Sequence, residues 1–263
     1  MPVALVTGAS AGIGTAYAER VAADGYDLVV VARRSERLEE LKERLEREHG
    51  ITVEVLVADL ADDAGSRAVE ERAAAGLDLL VNNAGFAGYR PFSELDPQVA
   101  EELVRVHVLS VTRATRAALG PMNERGSGAI VNVASLLAFS GAIPPDPLPQ
   151  RVVYASCKAY LVAFSQLLHS EVTPSGVRIQ VLCPGLVKTE FHEVAGRDPS
   201  QLPYGAMEPE DVVGASLRGL ELGEVICAPG LQDTDLLAKR DDAQTTLFRS
   251  AVAGSLAERY VTS

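Results

Sequence analysis

Apolar positions along the 263-residue chain fall into two kinds of run that alternate from end to end. One kind is short, continuous and β-branched: VALVT (Val3 to Thr7), DLVVVA (Asp27 to Ala32), TVEVLVA (Thr52 to Ala58), LDLLVNN (Leu77 to Asn83), AIVNVAS (Ala129 to Ser135), VRIQVLC (Val177 to Cys183) and EVICA (Glu224 to Ala228). Continuous rather than alternating apolar residues mark strands covered on both faces, so these runs predict a parallel sheet of about seven strands. The other kind has helical spacing. In SERLEELKERLEREHG, Leu38, Leu41 and Leu45 share one face, Ser35 is placed to cap the start and Gly50 to stop the helix. Strand, helix and strand repeated in this way imply right-handed crossovers and a doubly wound α/β sheet, the Rossmann fold, with helices on both faces. A ligand crevice is then expected at the carboxyl ends of the strands, where strand order reverses.

A hydrophobic content of 47% allows one large core, and no Ser/Gly or Pro run is long enough to separate domains. The densest proline stretch, AIPPDPLPQ (Ala142 to Gln150), reads as an ordered loop, so residues 1–263 are expected to form a single domain. A formal charge of −12 and a pI near 4.8 oppose binding to nucleic acid or to anionic membrane surfaces. Met1-Pro2 leads straight into the first strand without a basic and apolar leader, and no apolar run approaches the ~18 residues of a membrane span, so a cytoplasmic chain is expected. Cys157, Cys183 and Cys227 form no CxxC and no cluster at ligand spacing; they read as small buried hydrophobes, with no metal site.

The candidate chemistry begins in ALVTGASAGIG, where Gly8, Gly12 and Gly14 lie between the first strand and the first helix. Glycine there costs roughly 1 kcal/mol relative to alanine, and bare backbone at a helix N-terminus is what a pyrophosphate needs in order to approach. At the end of the second strand, VVVARRSE carries neutral Ala32 where an acidic residue would bind a ribose 2′-hydroxyl, followed by Arg33 and Arg34. An arginine at that spacing receives a 2′-phosphate, with Ser10 adding a hydroxyl, which points to NADP(H).

Further along come VADL (Val57 to Leu60), VNNAG (Val81 to Gly85), IVNVAS (Ile130 to Ser135), YASCK (Tyr154 to Lys158) and CPGLVKT (Cys183 to Thr189). In this order, and with the glycine turn, the chain resembles the short-chain dehydrogenase/reductase family from residue 3 to about residue 190. Residues 1–90 are then mainly the cofactor-binding half, and 91–263 the catalytic and substrate half. Tyr154 and Lys158, four apart, share one helix face, and a nearby ammonium is expected to draw the phenol from its reference pKa of about 10 toward working pH, fitting it for proton transfer. Ser135 matches the family serine that holds the substrate oxygen. Ser140 is its rival, because Ser135 precedes Tyr154 by 19 positions, longer than the family's usual separation. The resemblance also implies that Asp59 and Leu60 meet the adenine, and that Asn83, Ala84 and Gly85 border the adenosine ribose. Thr189 with the preceding Pro184, Gly185 and Val187 would hold the nicotinamide carboxamide, and Ile13 joins the cofactor set.

The family's asparagine in VNVL is replaced here by VHVL, with His107. A neutral imidazole both donates and accepts, so His107 either keeps the proton relay to Lys158 or is a buried histidine satisfied by a backbone carbonyl. Phe191, Leu202, Tyr204, Leu136, Leu137, Phe139, Ile143 and Leu148 offer apolar surface without a basic cluster, which favours a small hydrophobic ketone, aldehyde or alcohol; His192 is a further candidate contact. The segment from Leu236 to Tyr260 reads as a helical extension that packs on a neighbouring subunit or covers the site. By resemblance a homodimer or homotetramer is expected. The leading reading is NADPH-dependent carbonyl reduction and its reverse; a non-redox acid/base enzyme and a cofactor-sensing binding protein are the alternatives.

Overall fold

The computed structural model describes residues 1–146, 148–191, 205–252 and 254–261. Seven parallel strands, β1 (Val3–Thr7), β2 (Asp27–Ala32), β3 (Val53–Val57), β4 (Leu79–Asn82), β5 (Gly128–Val133), β6 (Val177–Leu182) and β7 (Ile226–Cys227), form one sheet in the order β3-β2-β1-β4-β5-β6-β7. β1 and β2 match their predicted runs, β5 starts one residue earlier than its run and ends two earlier, and the others are shortened at one or both ends by a residue or two. The order reverses between β1 and β4, whose pairing sets Leu5 opposite Leu80 and Val6 opposite Val81. The crevice predicted by the doubly wound reading therefore opens above Thr7 and Asn82.

Alternation along β1 divides the core. Ala4 and Val6 face a cluster with Val21 of α1 (Gly12–Ala23), Leu38, Leu41 and Leu45 of α2 (Ser35–His49) and Val212 and Val213 of α7 (Pro209–Leu222). Leu5 faces the opposite cluster, with Val69 and Ala73 of α3 (Asp63–Ala74), Ala114, Ala118 and Met122 of α5 (Ser110–Arg125) and Val172 of α6 (Val152–Val172). Each such fully buried leucine or valine contributes roughly 1.5–3 kcal/mol, which is why neither face of these strands tolerates polar alternation. Gly50 ends α2 in the left-handed conformation, as its sequence implies, but Ser35 is already the first helical residue and its side chain makes no cap.

Between α4 (Pro97–Val104) and α5 the helix widens into a π turn over Arg105–Leu109. A buried polar ladder fixes α5 and α6 to the sheet. Asn82 Nδ2 donates to Thr115 Oγ1 at 3.1 Å and to Asn132 Oδ1 at 2.9 Å, and Asn132 Nδ2 donates to Ser165 Oγ at 2.9 Å. Pairing buried amides in this way avoids the 1–3 kcal/mol that an unsatisfied group typically costs.

These elements belong to a unit spanning Met1–Pro229. A second unit, Gly230–Ser263, contains α8 (Asp235–Ala251) and a short 3₁₀ turn at Glu258–Tyr260. The helix begins where the sequence places one but ends at Ala251, short of the expected Tyr260, and Leu236, Leu247 and Phe248 on it are exposed. Among the described residues no helix is long and apolar enough to cross a membrane.

Candidate active site

The turn after β1 is built around bare backbone. Gly8 and Gly12 have φ of +71° and +55°, and a Cβ on Gly14 would lie 2.2 Å from the Gly8 carbonyl oxygen. No side chain caps the start of α1. Its first amides are left facing the crevice edge, where the helix dipole is positive. Asn83 braces this turn from β4: its Nδ2 donates to the Thr7 carbonyl at 2.9 Å, while Thr7 Oγ1 accepts from the amides of Asn83 and Ala84 at 2.9 and 3.0 Å. Thr189 arrives from the far side, and a Cβ on Gly12 would meet its methyl group at 2.7 Å. The glycines, Asn83 with Ala84, and Thr189 are thus brought to one place from three parts of the chain.

The two arginines after β2 separate. Arg33 reaches Asp59, with Nη1 3.4 Å from Oδ2, and Asp59 Oδ1 also accepts from the Ala61 amide at 3.0 Å. Arg34 turns the other way: Nε and Nη2 donate to Ser10 Oγ at 3.1 and 3.0 Å. Leu60 is buried in the core beside α3, and Ile13, in the first turn of α1, is partly buried against the opposite core. After β6, the Pro184 carbonyl accepts from the Leu136 amide at 2.9 Å, Gly185 faces the Leu136 side chain, and buried Val187 bridges to Met207.

Ser135, Tyr154 and Lys158 meet beside this cradle. Ser135 ends the β5 run and caps a short 3₁₀ turn, its Oγ accepting from the Leu137 amide at 3.2 Å. The same hydroxyl stands next to the Tyr154 phenol and acts to lower its pKa. Lys158 Nζ donates to the Val133 carbonyl at 2.7 Å and lies 5.5 Å from the centre of the Tyr154 ring. Ser140 is committed elsewhere: its hydroxyl donates to the Leu137 carbonyl at 2.7 Å and accepts from Arg151 Nε at 2.7 Å. Of the two serines left open by the sequence, Ser135 is the one facing the phenol.

The electrostatics differ from the simple expectation of a lysine-lowered phenol. Burial, and then the neighbouring Tyr89, push Tyr154 well above its ordinary value, and the Ser135 hydroxyl only partly opposes this. Burial also draws Lys158 down to about 8. The desolvation that weakens the ammonium therefore keeps the proton on the phenol.

His107 lies in the π turn and is buried. Its Nε2 is 2.8 Å from the Phe86 carbonyl, its ring stands edge-on to Tyr154, and a Cβ on Gly85 would come within 2.3 Å of Cε1. Nε2 also lies 3.3 Å from the Phe86 amide, so the ring can meet Phe86 as donor or acceptor according to its tautomer, while Nδ1 has no hydrogen-bond partner among the described residues. Burial, and then the Lys158 charge, hold the imidazole well below its usual pKa, so it stays neutral rather than titrating near neutrality.

Aromatic rings flank the phenol, with Tyr89 at 5.6 Å and Phe191 at 5.9 Å between centroids. Tyr89 carries no motif and escapes sequence reasoning. Arg151, just before α6, escapes it too. Leu136 and Ile143 are exposed beside this region, whereas His192, Leu202 and Tyr204 lie outside the described residues. Cys157, Cys183 and Cys227 are buried thiols.

Comparison with known proteins gives the same picture. The profile described as short chain dehydrogenase matches residues 2–199. A short-chain dehydrogenase from Sphingobium yanoikuyae, solved in complex with NADPH, superposes with a TM-score of 0.93 at 36% identity, over 99% of this chain and 100% of that one. The bulky-bulky ketone specific alcohol dehydrogenase of Comamonas testosteroni gives a TM-score of 0.88 at 30% identity, over 100% and 99% of the two chains. A very-long-chain 3-oxoacyl-CoA reductase-like protein of Arabidopsis thaliana is 34% identical over 232 residues, which are 86% of this chain and 72% of the relative. With the glycine turn, the strand order and the Ser135, Tyr154 and Lys158 cluster in one crevice, the chain belongs to the short-chain dehydrogenase family of NAD(P)-dependent oxidoreductases.

Proposed function

We propose that the protein is an NADP(H)-dependent carbonyl reductase, and in reverse an alcohol dehydrogenase, acting on a hydrophobic ketone. The observation that carries this reading is the Ser135, Tyr154 and Lys158 cluster standing beside a cradle that a single Cβ would fill. The cradle fits a dinucleotide: uncapped amides of α1 for the pyrophosphate, Ser10 and Arg34 for the 2′-phosphate, Asp59 and Leu60 toward the adenine, Asn83 to Gly85 along the ribose. Pro184, Gly185, Val187 and Thr189 take the carboxamide end. The relatives support the finer points. The Sphingobium structure holds NADPH, and the Comamonas protein is a bulky-bulky ketone specific alcohol dehydrogenase.

When bound, the reduced cofactor supplies a hydride. Ser135 orients the substrate carbonyl by a hydrogen bond to its oxygen, and Tyr154, protonated at neutral pH by virtue of its burial, gives that oxygen its proton. Lys158 lends positive potential near the phenol, and neutral His107 closes the wall behind it. Tyr89 and Phe191 provide aromatic surface for an apolar substituent.

The test is titration of the protein with NADPH and NADH, followed by NADPH consumption across apolar ketones and aldehydes. Preferential NADPH binding with turnover on bulky ketones supports the proposal. Binding without turnover on any carbonyl would move the assignment to a non-redox acid/base enzyme or a cofactor sensor.

A further inference from the structure

The corner between β2 and α2 already holds an anion, the carboxylate of Glu190. Its Oε2 is 2.9 Å from Arg34 Nη1 and 3.0 Å from Arg37 Nη1, and its Oε1 is 2.8 Å from Arg37 Nη1. Arg34 is the residue whose remaining N–H groups clasp Ser10, through Oγ at 3.0 and 3.1 Å and the carbonyl oxygen at 3.2 Å. Glu190 comes from more than 150 positions away, immediately after the threonine that packs on Gly12. The side chains of Glu190, Arg34 and Arg37 all remain about half exposed, so a ligand can reach them.

A carboxylate and a phosphate monoester make the same demand on a guanidinium: acceptor oxygens at about 2.8 Å in the plane of the fork. Arg34 Nη1 cannot satisfy both. We infer that Glu190 is a specificity-determining residue whose carboxylate occupies, on Arg34, the place of the cofactor's 2′-phosphate, so that NADPH must displace it while NADH need not. Arg37 gives the displaced carboxylate somewhere to stay, which keeps the exchange reversible. The two guanidinium groups, Arg34 foremost, hold the Glu190 carboxyl below the usual carboxylate range, so the competitor is ionised wherever the enzyme would be assayed. The inference rests on the assignment of NADP(H) to Ser10 and Arg34, and gives that corner a second, opposing occupant.

Calorimetric titration of NADPH, NADH and adenosine 2′,5′-bisphosphate into wild type, Glu190→Gln, Glu190→Ala and Arg34→Ala tests it. Releasing an exposed carboxylate from Arg34 is expected to tighten NADPH and the bisphosphate by about three- to tenfold, in both Glu190 variants, with NADH unchanged within about twofold. The gain is expected to shrink with added salt, since it is an exchange between exposed charges. Unchanged or weakened NADPH binding in both Glu190 variants, with Arg34→Ala still losing its preference for NADPH, overturns the Glu190 inference and leaves the cofactor assignment standing. An unchanged NADPH to NADH ratio in Arg34→Ala overturns both.

Discussion

The imidazole of His107 stands edge-on to the phenol of Tyr154, with ring centroids 5.4 Å apart and planes at 87°. That contact ties the widened turn of one helix to the phenol on another. His107 brings a neutral ring whose Nε2 is engaged by the Phe86 backbone and whose Nδ1 has no hydrogen-bond partner among the described residues.

A histidine kept neutral by burial makes folding sensitive to acid. Its pKa in the folded chain lies well below the unfolded value of about 6.5, so between those two values the unfolded chain binds the extra proton. Stability is therefore full above pH ~6.5 and falls as the pH drops toward the folded value. In His107→Asn this loss is removed. The difference in melting temperature between wild type and variant is expected to shift in favour of the variant from about pH 8 to about pH 5; a difference that stays constant would contradict the neutral, buried state.

Tyr154→Phe is expected to lower the turnover of carbonyl reduction by about 10²–10⁴-fold. NADPH affinity is expected to stay within about threefold, since only a hydroxyl is lost. Ser135→Ala should cost about 10²-fold, as expected for one donor to a developing oxyanion, whereas Ser140→Ala should act on stability first. Steady-state kinetics with a fixed ketone separates the three. Wild-type turnover in Tyr154→Phe would remove the phenol from the mechanism.

Lys158 carries a charge that the fold desolvates. With a folded pKa of about 8 against about 10.4 when unfolded, the unfolded chain binds more protons between those values, and stability rises with pH across that window. Below pH ~8 the full penalty of the buried ammonium is present. Lys158→Met is expected to be inactive yet more stable at pH 7, by on the order of 1–3 kcal/mol less what the Val133 carbonyl loses with its donor. Urea unfolding at about pH 7 and about pH 10 measures this. An advantage that does not shrink at the higher pH would mean that charge is not its cause.

Arg151 holds the proline-rich loop to the start of α6. Besides Ser140 Oγ, it donates from Nη2 to the carbonyls of Ser140 at 2.9 Å and Ile143 at 2.7 Å, and from Nη1 to that of Pro149 at 3.0 Å. Among the described residues no carboxylate pairs with it, so the guanidinium serves as a planar hub of donors. Arg151→Met is expected to cost about 2–4 kcal/mol, because several carbonyls lose their donor together. Arg151→Lys is expected to recover less than half, since an ammonium cannot span the same fork. Full recovery by lysine in thermal unfolding would show that charge, not geometry, is what the loop requires.

The strands and the crevice were legible because burial on both faces writes itself into composition: Leu5 and Val6 point to opposite cores and both must be apolar. The glycine turn was legible for the converse reason, that Gly14 has no room for a Cβ. Ser35 misled because a good capping residue followed the true boundary by one position, where Arg34 is held by Ser10. The direction of the Tyr154 shift was not legible, since spacing reports which groups meet and desolvation depends on everything else around them. Tyr89, Arg37 and Glu190 had no motif to mark them; their roles come from chain segments that meet only after folding.

The π turn at Arg105–Leu109 sets the phase of the helix that follows it. Rewinding the same residues as ordinary α-helix, with none removed, would rotate everything downstream by about 100°. Thr115 would swing away from Asn82, and Ala114 and Ala118 would turn out of the core, while His107 would leave the flank of Tyr154. The extra residue acts as a frame marker: it allows one uninterrupted rod to present the wall of an active site at one end and a core-packing face at the other, each in correct register with a different part of the sheet.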